Sequence, residues 1–264
     1  MKHDISVIMI TKNAESTIEN SLKSVSSWVR EIIVVDSYST DKTVEIAERH
    51  KSIVYKHKYE GEGKQRNFAL SKAKLNWVLV LDADESVTSK LKNEILRIIK
   101  ATKLLGFNIP VQSYYKNKQL NYGGENYKKM ILFKRVQGKS TLDQIHAVCQ
   151  VHDKKIGLLK NKLNHFSYTS FCQVIKKFTS YSYRVAMVKA KKGEKASLKK
   201  IFLYPIHMFY ARFIKDKGYK DGLFRIPLDM VFAYMEGLAY LILFISNVKA
   251  QIAKLHLKFK KFKV

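Results

Sequence analysis

Short apolar runs alternate with amphipathic stretches over the first part of the chain. Four runs are apolar and largely β-branched, as in buried parallel strands: residues 5–10, 31–36, 52–55 and 77–81. Four stretches between and after them carry apolar side chains at helical spacing: residues 16–25, 41–50, 63–73 and 89–101. This alternation predicts an α/β fold, built on a mostly parallel sheet with helices on both faces.

Polar residues stand at the carboxyl ends of three predicted strands: Thr11 and Asp82 directly follow theirs, and Asp36 is the last residue of its strand. In parallel α/β sheets, ligands bind beyond the carboxyl ends of the strands. Asp82 and Asp84 lie two positions apart at such an end, where Mg²⁺ or Mn²⁺ favours one or two carboxylates together with the phosphates of a nucleotide. An acidic turn is the alternative interpretation of this pair.

Two further segments suit a nucleotide. Asp36 can accept hydrogen bonds from a base or a ribose, as an acidic residue does in dinucleotide sites. Residues 61–67 read Gly-Glu-Gly-Lys-Gln-Arg-Asn and bring cations and amides to the start of a helix, which suits a pyrophosphate. A polar turn and a solvated helix start explain the same residues without a ligand. The sequence has no G-x-G-x-x-G and no P-loop motif, which weighs against nicotinamide cofactors and P-loop chemistry.

Positive charge is concentrated in the second part of the chain. The net charge is +27, and residues 151–264 carry 24 Lys and Arg against 6 Asp and Glu. Such an excess predicts a polyanionic partner, which is a nucleic acid, an anionic membrane or a phosphorylated substrate. Cys149 and Cys172 are too few for a disulfide scaffold and favour a reducing compartment. The short apolar run near the N-terminus does not predict a signal peptide.

Long helical patterns fill residues 171–264. Residues 226–245 are strongly apolar but include Asp229 and Glu236, so the charge-free run is shorter than the roughly 20 residues of a spanning helix. We expect this segment to lie on a membrane or against a partner, with a true span as the less favoured alternative. The interpretation divides the chain at residue 168, with a basic, helical, membrane-associating region over residues 169–264.

The C-terminal tail combines an apolar stripe with a basic one. The apolar stripe consists of Ile252, Leu255, Phe259 and Phe262, and the neighbouring lysines are Lys254, Lys258 and Lys261. A basic amphipathic helix of this kind adsorbs to anionic lipid. A soluble helix that packs its stripe on the protein is the alternative.

Four segments of the first part together resemble family 2 glycosyltransferases of the A-type fold. They are residues 6–15, 32–43, 63–69 and 81–85, which occur in the family's order and spacing. The likeness is strongest to the branch that adds glucose to the inner core of lipopolysaccharide. It implies a Rossmann-like catalytic domain over residues 1–168, and an inverting, metal-assisted hexosyltransferase. The implied donor is a nucleotide sugar, with UDP-glucose as first expectation. The implied acceptor is a lipid-linked glycan at the cytoplasmic face of the inner membrane, where the protein would be peripheral.

The resemblance also implies roles for individual residues. Those implied to hold the nucleoside are Thr11, Asn13, Glu15 and Asp36. Those implied to lie near the diphosphate are Lys64, Gln65 and Asn67. Asp82 is implied to lie by the ribose or the metal, and Asp84 to ligate Mg²⁺ or Mn²⁺. Residues 218–222 resemble a Gly-x-x-Asp-Gly segment between the C-terminal helices of this branch.

The resemblance weakens after residue 105. The family's His-Gly-Gly-Trp is Tyr-Gly-Gly-Glu at residues 122–125, and its Val-His-Glu is Ile-His-Ala at residues 145–147. An inverting transferase needs a base that removes the proton of the acceptor hydroxyl, and Ala147 stands where the family has a glutamate. The remaining candidates for the base, in falling order of preference, are Asp143, Glu125 and His146. Loop carboxylates and a structural histidine are the alternative interpretations.

Two other classes of function are open at this point. One is a catalytically degenerate transferase fold that serves as a binding subunit, which Ala147 suggests. The other is a nucleic-acid-binding protein, which the charge would suit. It is less favoured, and we expect no nucleic-acid partner, because the chain has no recognised motif of that class and its densest charge accompanies apolar stripes.

Overall fold

The computed structural model describes residues 2–141, 149–151 and 155–261, with side chains up to Lys249. The chain divides into two compact units. The first consists of Met1–Lys118 and Asn126–Ser167, and the second of Gln119–Glu125 and Tyr168–Val264. Asp143, His146 and Ala147 lie outside the described residues, as do the side chains of the two C-terminal stripes.

The first unit begins with the predicted alternation of strands and helices, which the structure confirms. Its first five strands are β1 (His3–Thr11), β2 (Val29–Asp36), β3 (Ile53–Lys56), β4 (Trp77–Val80) and β5 (Glu85–Val87). Its helices are α1 (Ile18–Ser26), α2 (Thr43–Arg49), α3 (Glu62–Lys72) and α4 (Ser89–Ile98). The later strands of the chain are β6 (Gly106–Tyr115), β7 (Lys118–Leu120), β8 (Tyr127–Lys134), β9 (Gly138–Ser140), β10 (Cys149–Val151), β11 (Ile156–Leu158) and β12 (Leu163–Tyr168). All lie in the first unit except the last two residues of β7 and the last residue of β12.

The main sheet is mixed, and its parallel part carries the predicted site. The strand order is β3-β2-β1-β4-β8-β6-β12-β5. Strands β3, β2, β1 and β4 are parallel, whereas β8 is antiparallel to both β4 and β6, and β12 to β5. The register sets Thr11 opposite Asp36 and Asp36 opposite Lys56, so the carboxyl ends of β1, β2 and β3 meet at one edge.

Burial of the strands explains why their sequences are continuous apolar runs. Every residue of β4 is buried, as are the last five residues of β2, because helices and neighbouring strands exclude water from both faces. Helix α1 contributes Leu22 and helix α4 contributes Leu91 to the same core. Helix α4 begins at a cap in which the Thr88 hydroxyl accepts a hydrogen bond from the Leu91 amide.

The second unit is helical, as predicted. It consists of α5 (Phe171–Lys191), α6 (Leu198–Phe209), a π-helical turn (Tyr210–Lys215), a 3-10 turn (Gly218–Asp221) and α7 (Arg225–Lys261). Helices α5 and α6 both pack on α7. A Cβ atom at Gly237 would lie 2.8 Å from Cγ of Pro205, so the glycine permits the close approach of α6 and α7.

Helix α7 contains the apolar segment of the sequence analysis. Within the described part of the chain, Arg225–Lys249 is the one helix long and apolar enough to cross a membrane, with a mean hydropathy of 1.7 over its best window. Its two acidic residues are buried and paired: Asp229 with Arg225, and Glu236 with Lys189. Whether α7 lies on a membrane or crosses it is not decided by these contacts, and its predicted position on the membrane stays a prediction.

Candidate active site

The ends of β1 and β2 bring Thr11 and Asp36 together. The Asp36 side chain is fully buried, and its Oδ1 accepts a hydrogen bond from the Thr11 hydroxyl at 3.2 Å. The amide of Ser39 donates to Asp36 Oδ2 at 2.8 Å, and the Ser39 hydroxyl donates to Oδ1. Two residues implied to bind the nucleoside thus lie side by side, and the carboxylate of Asp36 also holds the turn that follows β2.

Asn13 and Glu15 tie the loop after β1 to the loop after β2. Asn13 has a left-handed backbone (φ 49°), and its Oδ1 accepts a hydrogen bond from the Thr40 amide at 2.9 Å. Glu15 Oε2 accepts from the Lys42 amide at 3.2 Å. Both side chains are exposed. They lie at the accessible rim of the group formed by Thr11 and Asp36, which we call the strand-end cluster.

The start of α3 supplies the three residues expected near a diphosphate, but only one of them lies at the surface. Gln65 is fully buried and donates to the Ser37 hydroxyl at 3.0 Å. Asn67 exchanges two hydrogen bonds of 2.9 Å with the backbone of Ser140. Lys64 is exposed and pairs with Glu60. Gln65 and Asn67 therefore shape the loop, whereas the Lys64 ammonium is accessible from solvent.

Asp82 lies in a cluster of opposite charges at the end of β4. One of its carboxylate oxygens accepts from Arg66 at 2.9 Å and the other from Lys129 at 3.1 Å. Glu85, which is buried, accepts from the same Lys129 ammonium at 2.6 Å and from the Asp82 amide at 3.0 Å. Both oxygens of Asp82 are thus occupied by cations of the protein itself.

These contacts shift the ionisation of the cluster. Burial opposes the charged form of Asp82, but the charges of Lys129 and Arg66 outweigh it and hold the pKa of Asp82 well below its ordinary value. Burial, reinforced by the negative charge of Asp82, raises the pKa of Glu85. Burial also opposes the charge of Lys129, yet Asp82 and Glu85 raise the pKa of that ammonium above its ordinary value.

Asp84 faces a histidine that the sequence analysis did not find. Strand β12 pairs with β5 and sets His165 opposite Glu85, which brings His165 Nε2 to 3.3 Å from Asp84 Oδ2. The side chains of Asp84 and His165 are 27% and 15% exposed, so both are accessible from solvent. The Tyr127 hydroxyl lies 2.8 Å from His165 Nδ1, and the Ser167 hydroxyl lies 2.6 Å from Nε2, which it would have to leave for a cation to bind there.

The Asp84–His165 pair fits a divalent cation. A carboxylate oxygen and an imidazole nitrogen are ligands that Mn²⁺ accepts, and a partner on the second ring nitrogen orients the histidine. Across residues 2–141, 149–151 and 155–249, no group of three or more His, Cys, Asp or Glu side chains is placed to hold a metal alone. Two protein ligands suit a cation that shares its remaining positions with phosphates and water. Asp82, whose oxygens are both paired, is less suited to this role than Asp84, and its predicted metal contact stays a prediction.

Glu125 belongs to the second unit. It is buried, accepts a hydrogen bond from Arg212 Nη2, and lies 3.8 Å from Arg225 Nη1. These partners favour a structural role for its carboxylate. Its role as a base stays a prediction, as do those of Asp143 and His146.

The comparison with known families decides the assignment of the first unit. Residues 6–165 match the sequence model of glycosyl transferase family 2. The chain belongs to this family. The resemblance inferred from the four motifs is thus confirmed, the protein is a glycosyltransferase, and its first unit has the A-type glycosyltransferase fold.

Individual relatives extend the family 2 match toward the C-terminus. An "Uncharacterized glycosyltransferase" of Rickettsia felis is 31% identical over 242 residues, which cover 87% of this chain and 86% of the relative. The lipopolysaccharide core biosynthesis glycosyltransferase LpsC of Rhizobium meliloti is 25% identical and covers 94% and 92% of the two chains. Among solved structures, S. aureus TarS 1-349 in complex with UDP-GlcNAc gives a TM-score of 0.48 at 16% identity, with 88% of this chain and 79% of that chain covered.

Proposed function

We propose that this family 2 glycosyltransferase moves a hexose from a nucleotide-diphosphate sugar to a lipid-linked glycan such as the lipopolysaccharide core. The relative LpsC, whose name states lipopolysaccharide core biosynthesis, matches over nearly the full length of both chains and supports this class of acceptor. Glucose, carried by UDP, is the proposed sugar because the four motifs are most similar to the glucose-adding branch.

The Asp84–His165 pair at the end of β4 is the observation that carries the donor half of this proposal. Asp84 would hold Mg²⁺ or Mn²⁺, with His165 as a second ligand for Mn²⁺, and the cation when bound would neutralise the charge that develops on the departing diphosphate. Asp36 and Thr11 lie at the neighbouring strand ends, with Asn13 and Glu15 at the rim, where they would bind the nucleoside. Lys64, whose ammonium is exposed, would pair with the diphosphate.

Transfer with inversion takes place in one displacement. The acceptor hydroxyl oxygen forms a bond to the anomeric carbon as the bond from that carbon to the diphosphate oxygen breaks, and a base of the protein takes the hydroxyl proton. Asp143 is the proposed base, with Glu125 and His146 as the next candidates. Replacement of the correct one lowers turnover by about 10²–10⁴-fold and leaves donor affinity unchanged.

We place the reaction at the cytoplasmic face of the inner membrane, with the protein attached peripherally. A lipid-linked acceptor is confined to that surface. The second unit supports attachment there, because residues 168–264 carry 20 Lys and Arg against 5 Asp and Glu and include the apolar helix α7.

Calorimetry with UDP and UDP-glucose, with and without Mn²⁺, tests the donor site. We expect Asp84→Ala and His165→Ala each to weaken Mn²⁺-dependent UDP binding by about 10–100-fold, as for loss of a metal-site residue. The matched controls are Asp4→Ala and His50→Ala, which remove the same side chains elsewhere in the first unit. Wild-type affinity in Asp84→Ala would refute the metal assignment.

Turnover separates the enzyme from its alternatives. If the wild-type chain binds UDP-glucose and Mn²⁺ but neither transfers nor hydrolyses any nucleotide sugar that it binds, the fold acts as a binding subunit. If it binds no nucleotide sugar but binds duplex or single-stranded nucleic acid with a steep salt dependence, the nucleic-acid alternative replaces the proposal.

A further inference from the structure

Helix α6 exposes a row of apolar side chains to solvent. None of its twelve residues is buried, and the row continues into the π-helical turn. Its members, which we call the α6 ridge, follow one another at intervals of four residues: Leu198, Phe202, Ile206, Tyr210 and Ile214. Phe202 is 67% and Ile206 66% exposed. Spacing by four places each side chain beside the next, in a row that winds slowly around the helix, so neighbouring members of the ridge adjoin one another.

Other residues of α6 account for its packing within the second unit. Pro205 lies against Gly237 of α7, and the ring of Tyr204 lies 4.6 Å from the ring of Tyr240. Ile201 packs against the cluster of Ala186, Ala239, Tyr240 and Leu243. The ridge is therefore not needed to hold α6 on α7.

Positive charges border the ridge at both ends. Residues 201–211 contain no Asp, Glu, Lys or Arg, in a chain of which 27% is charged. The exposed Lys195 and Lys199 precede this stretch, with Glu194 beside Lys195, and the exposed Lys215 and Lys217 follow it, with the exposed Asp216 between them, so lysines outnumber acidic residues at both ends. At 1.5 Å per residue the uncharged stretch is about 16 Å long, which is too short to span a bilayer. An apolar row of this length with lysines at its ends is typical of a helix that lies in the headgroup region.

We propose that the α6 ridge inserts into the surface of an anionic membrane and anchors the second unit there. This inference deepens the proposed membrane location of the transferase by assigning it to particular residues. A lipid surface fits the ridge better than a second copy of the chain, because two copies would bring two strongly basic units together. Anionic lipid, in contrast, accepts the apolar side chains and neutralises the lysines beside them.

The ridge and the C-terminal tail predict different responses to salt. The tail lysines act through charge, so their contribution weakens as salt screens the membrane surface. Insertion of Phe202 and Ile206 removes apolar area from water, and that contribution is not screened. A chain that ends at Val248 lacks the tail but keeps the whole ridge. We therefore expect this shortened chain to keep the salt-resistant part of its binding to vesicles.

Flotation of the full-length protein tests the proposal, with phosphatidylcholine vesicles that contain or lack phosphatidylglycerol. We expect the double variant Phe202→Ser/Ile206→Ser to partition into the anionic vesicles at least about tenfold less than wild type, because two large apolar side chains no longer insert. The matched control is Val136→Ser/Leu158→Ser, which removes two exposed apolar side chains from the first unit and leaves partition unchanged. Both variants should bind UDP with wild-type affinity.

Fluorescence gives a second, independent reading of insertion. The two natural tryptophans, Trp28 and Trp77, are buried, so a tryptophan introduced at the surface reports its own environment. Phe202→Trp should shift its emission to shorter wavelength on anionic vesicles and be quenched by brominated lipid chains. Val136→Trp should do neither.

Three results would overturn the inference. One is wild-type flotation of Phe202→Ser/Ile206→Ser, and another is emission of Phe202→Trp that vesicles leave unchanged. The third is a lipid-free dimer that the double variant converts to a monomer, which would make the ridge a self-association surface. Loss of donor binding in the wild-type chain would instead refute the proposed function and leave the flotation result standing.

Discussion

Each unit of the molecule contains an aspartate held by two cationic side chains, but only one of the two clusters is open to solvent. The Asp82 side chain in the first unit is 25% exposed, whereas Asp229 in the second unit is 0% exposed. In a partly open ion pair, a charged ligand or water can take the place of a departing cation of the protein. In a fully buried one nothing replaces the partner that leaves, so a buried charge stays poorly compensated. Exposure therefore separates a candidate binding site from a structural ion pair in this protein.

The buried cluster around Asp229, the closed cluster, holds the segment Gln119–Glu125 against the helices of the second unit. Asp229 accepts from Arg212 Nε at 3.0 Å and from Arg225 Nη2 at 2.7 Å. The same Arg225 nitrogen reaches the carbonyl of Gly123 at 3.4 Å, and a Cβ atom at that glycine would lie 1.8 Å from it. Gly123 also has a positive φ of 69°, so a larger residue there would strain the backbone and displace the Arg225 guanidinium. The Asp221 carboxylate accepts from the amide of Asn121 at 3.1 Å.

The largest effect on stability is expected at the closed cluster. Asp229→Asn keeps the shape of the side chain but removes the nearer counter-charge of Arg225, which is fully buried and keeps only Glu125, 3.8 Å from its Nη1. We expect the free energy of unfolding, measured in urea, to fall by about 3–5 kcal/mol. Asp82→Asn, the matched change in the open cluster, should cost only about 1–2 kcal/mol at neutral pH because solvent screens its charges. Equal losses in the two variants would contradict the comparison.

Substitutions in the strand-end cluster of the first unit should change the affinity for the donor. Asp36→Ala should weaken UDP binding by about 1.5–3 kcal/mol, as expected for a lost hydrogen bond to a charged group. Ser39→Ala is the matched control, because it removes a side-chain partner of Asp36 but keeps the carboxylate. If Ser39→Ala weakens UDP binding as much as Asp36→Ala does, Asp36 acts through the turn and does not contact the nucleoside.

The open cluster around Asp82 should also change how the stability of the fold depends on pH. Because the pKa of Asp82 lies below its ordinary value of 3.8, its ion pairs stabilise the fold fully above that pH and are lost as the pH falls below it. Glu85, whose pKa is raised, acts in the opposite direction: it favours the fold at low pH, and this is lost as the pH rises through its folded-state pKa.

Thermal unfolding of wild type and Asp82→Asn between neutral and acidic pH measures this effect. The advantage of wild type should be constant near neutral pH and should shrink below about pH 4, where the aspartate of the unfolded chain becomes protonated. Glu19→Gln removes an exposed carboxylate that pairs with Lys23, and it serves as the control with a near-zero effect. A constant difference between wild type and Asp82→Asn at all pH values would show that the ion pairs do not stabilise the fold.

Local patterns made the first four strands and the motifs at their ends predictable. Runs such as residues 31–36 identify a buried strand without knowledge of its neighbours. The contact of His165 with Asp84 was not predictable in this way, because only the pairing of β12 with β5 brings the two residues together. For the same reason the assignment of Gln119–Glu125 to the helical unit was not predictable from local sequence. That placement depends on contacts with Asp221 and Arg225, which are distant in sequence.

The smallest expected effect distinguishes the two cysteines, one in each unit. Cys149 of the first unit is buried, and burial, partly offset by the charge of Arg66, raises the pKa of its thiol to about 11. Only about a thousandth of a thiol with that pKa is thiolate at pH 8, and the thiolate is the reactive form. Cys172 of the second unit is exposed.

We therefore expect Ellman's reagent to label one thiol rapidly in the native protein. Cys172→Ser should abolish that rapid phase, and Cys149→Ser should preserve it. Urea should make the second thiol reactive. Rapid labelling of both thiols in the native state would show that the strand carrying Cys149 opens readily, and that burial does not protect this part of the first unit.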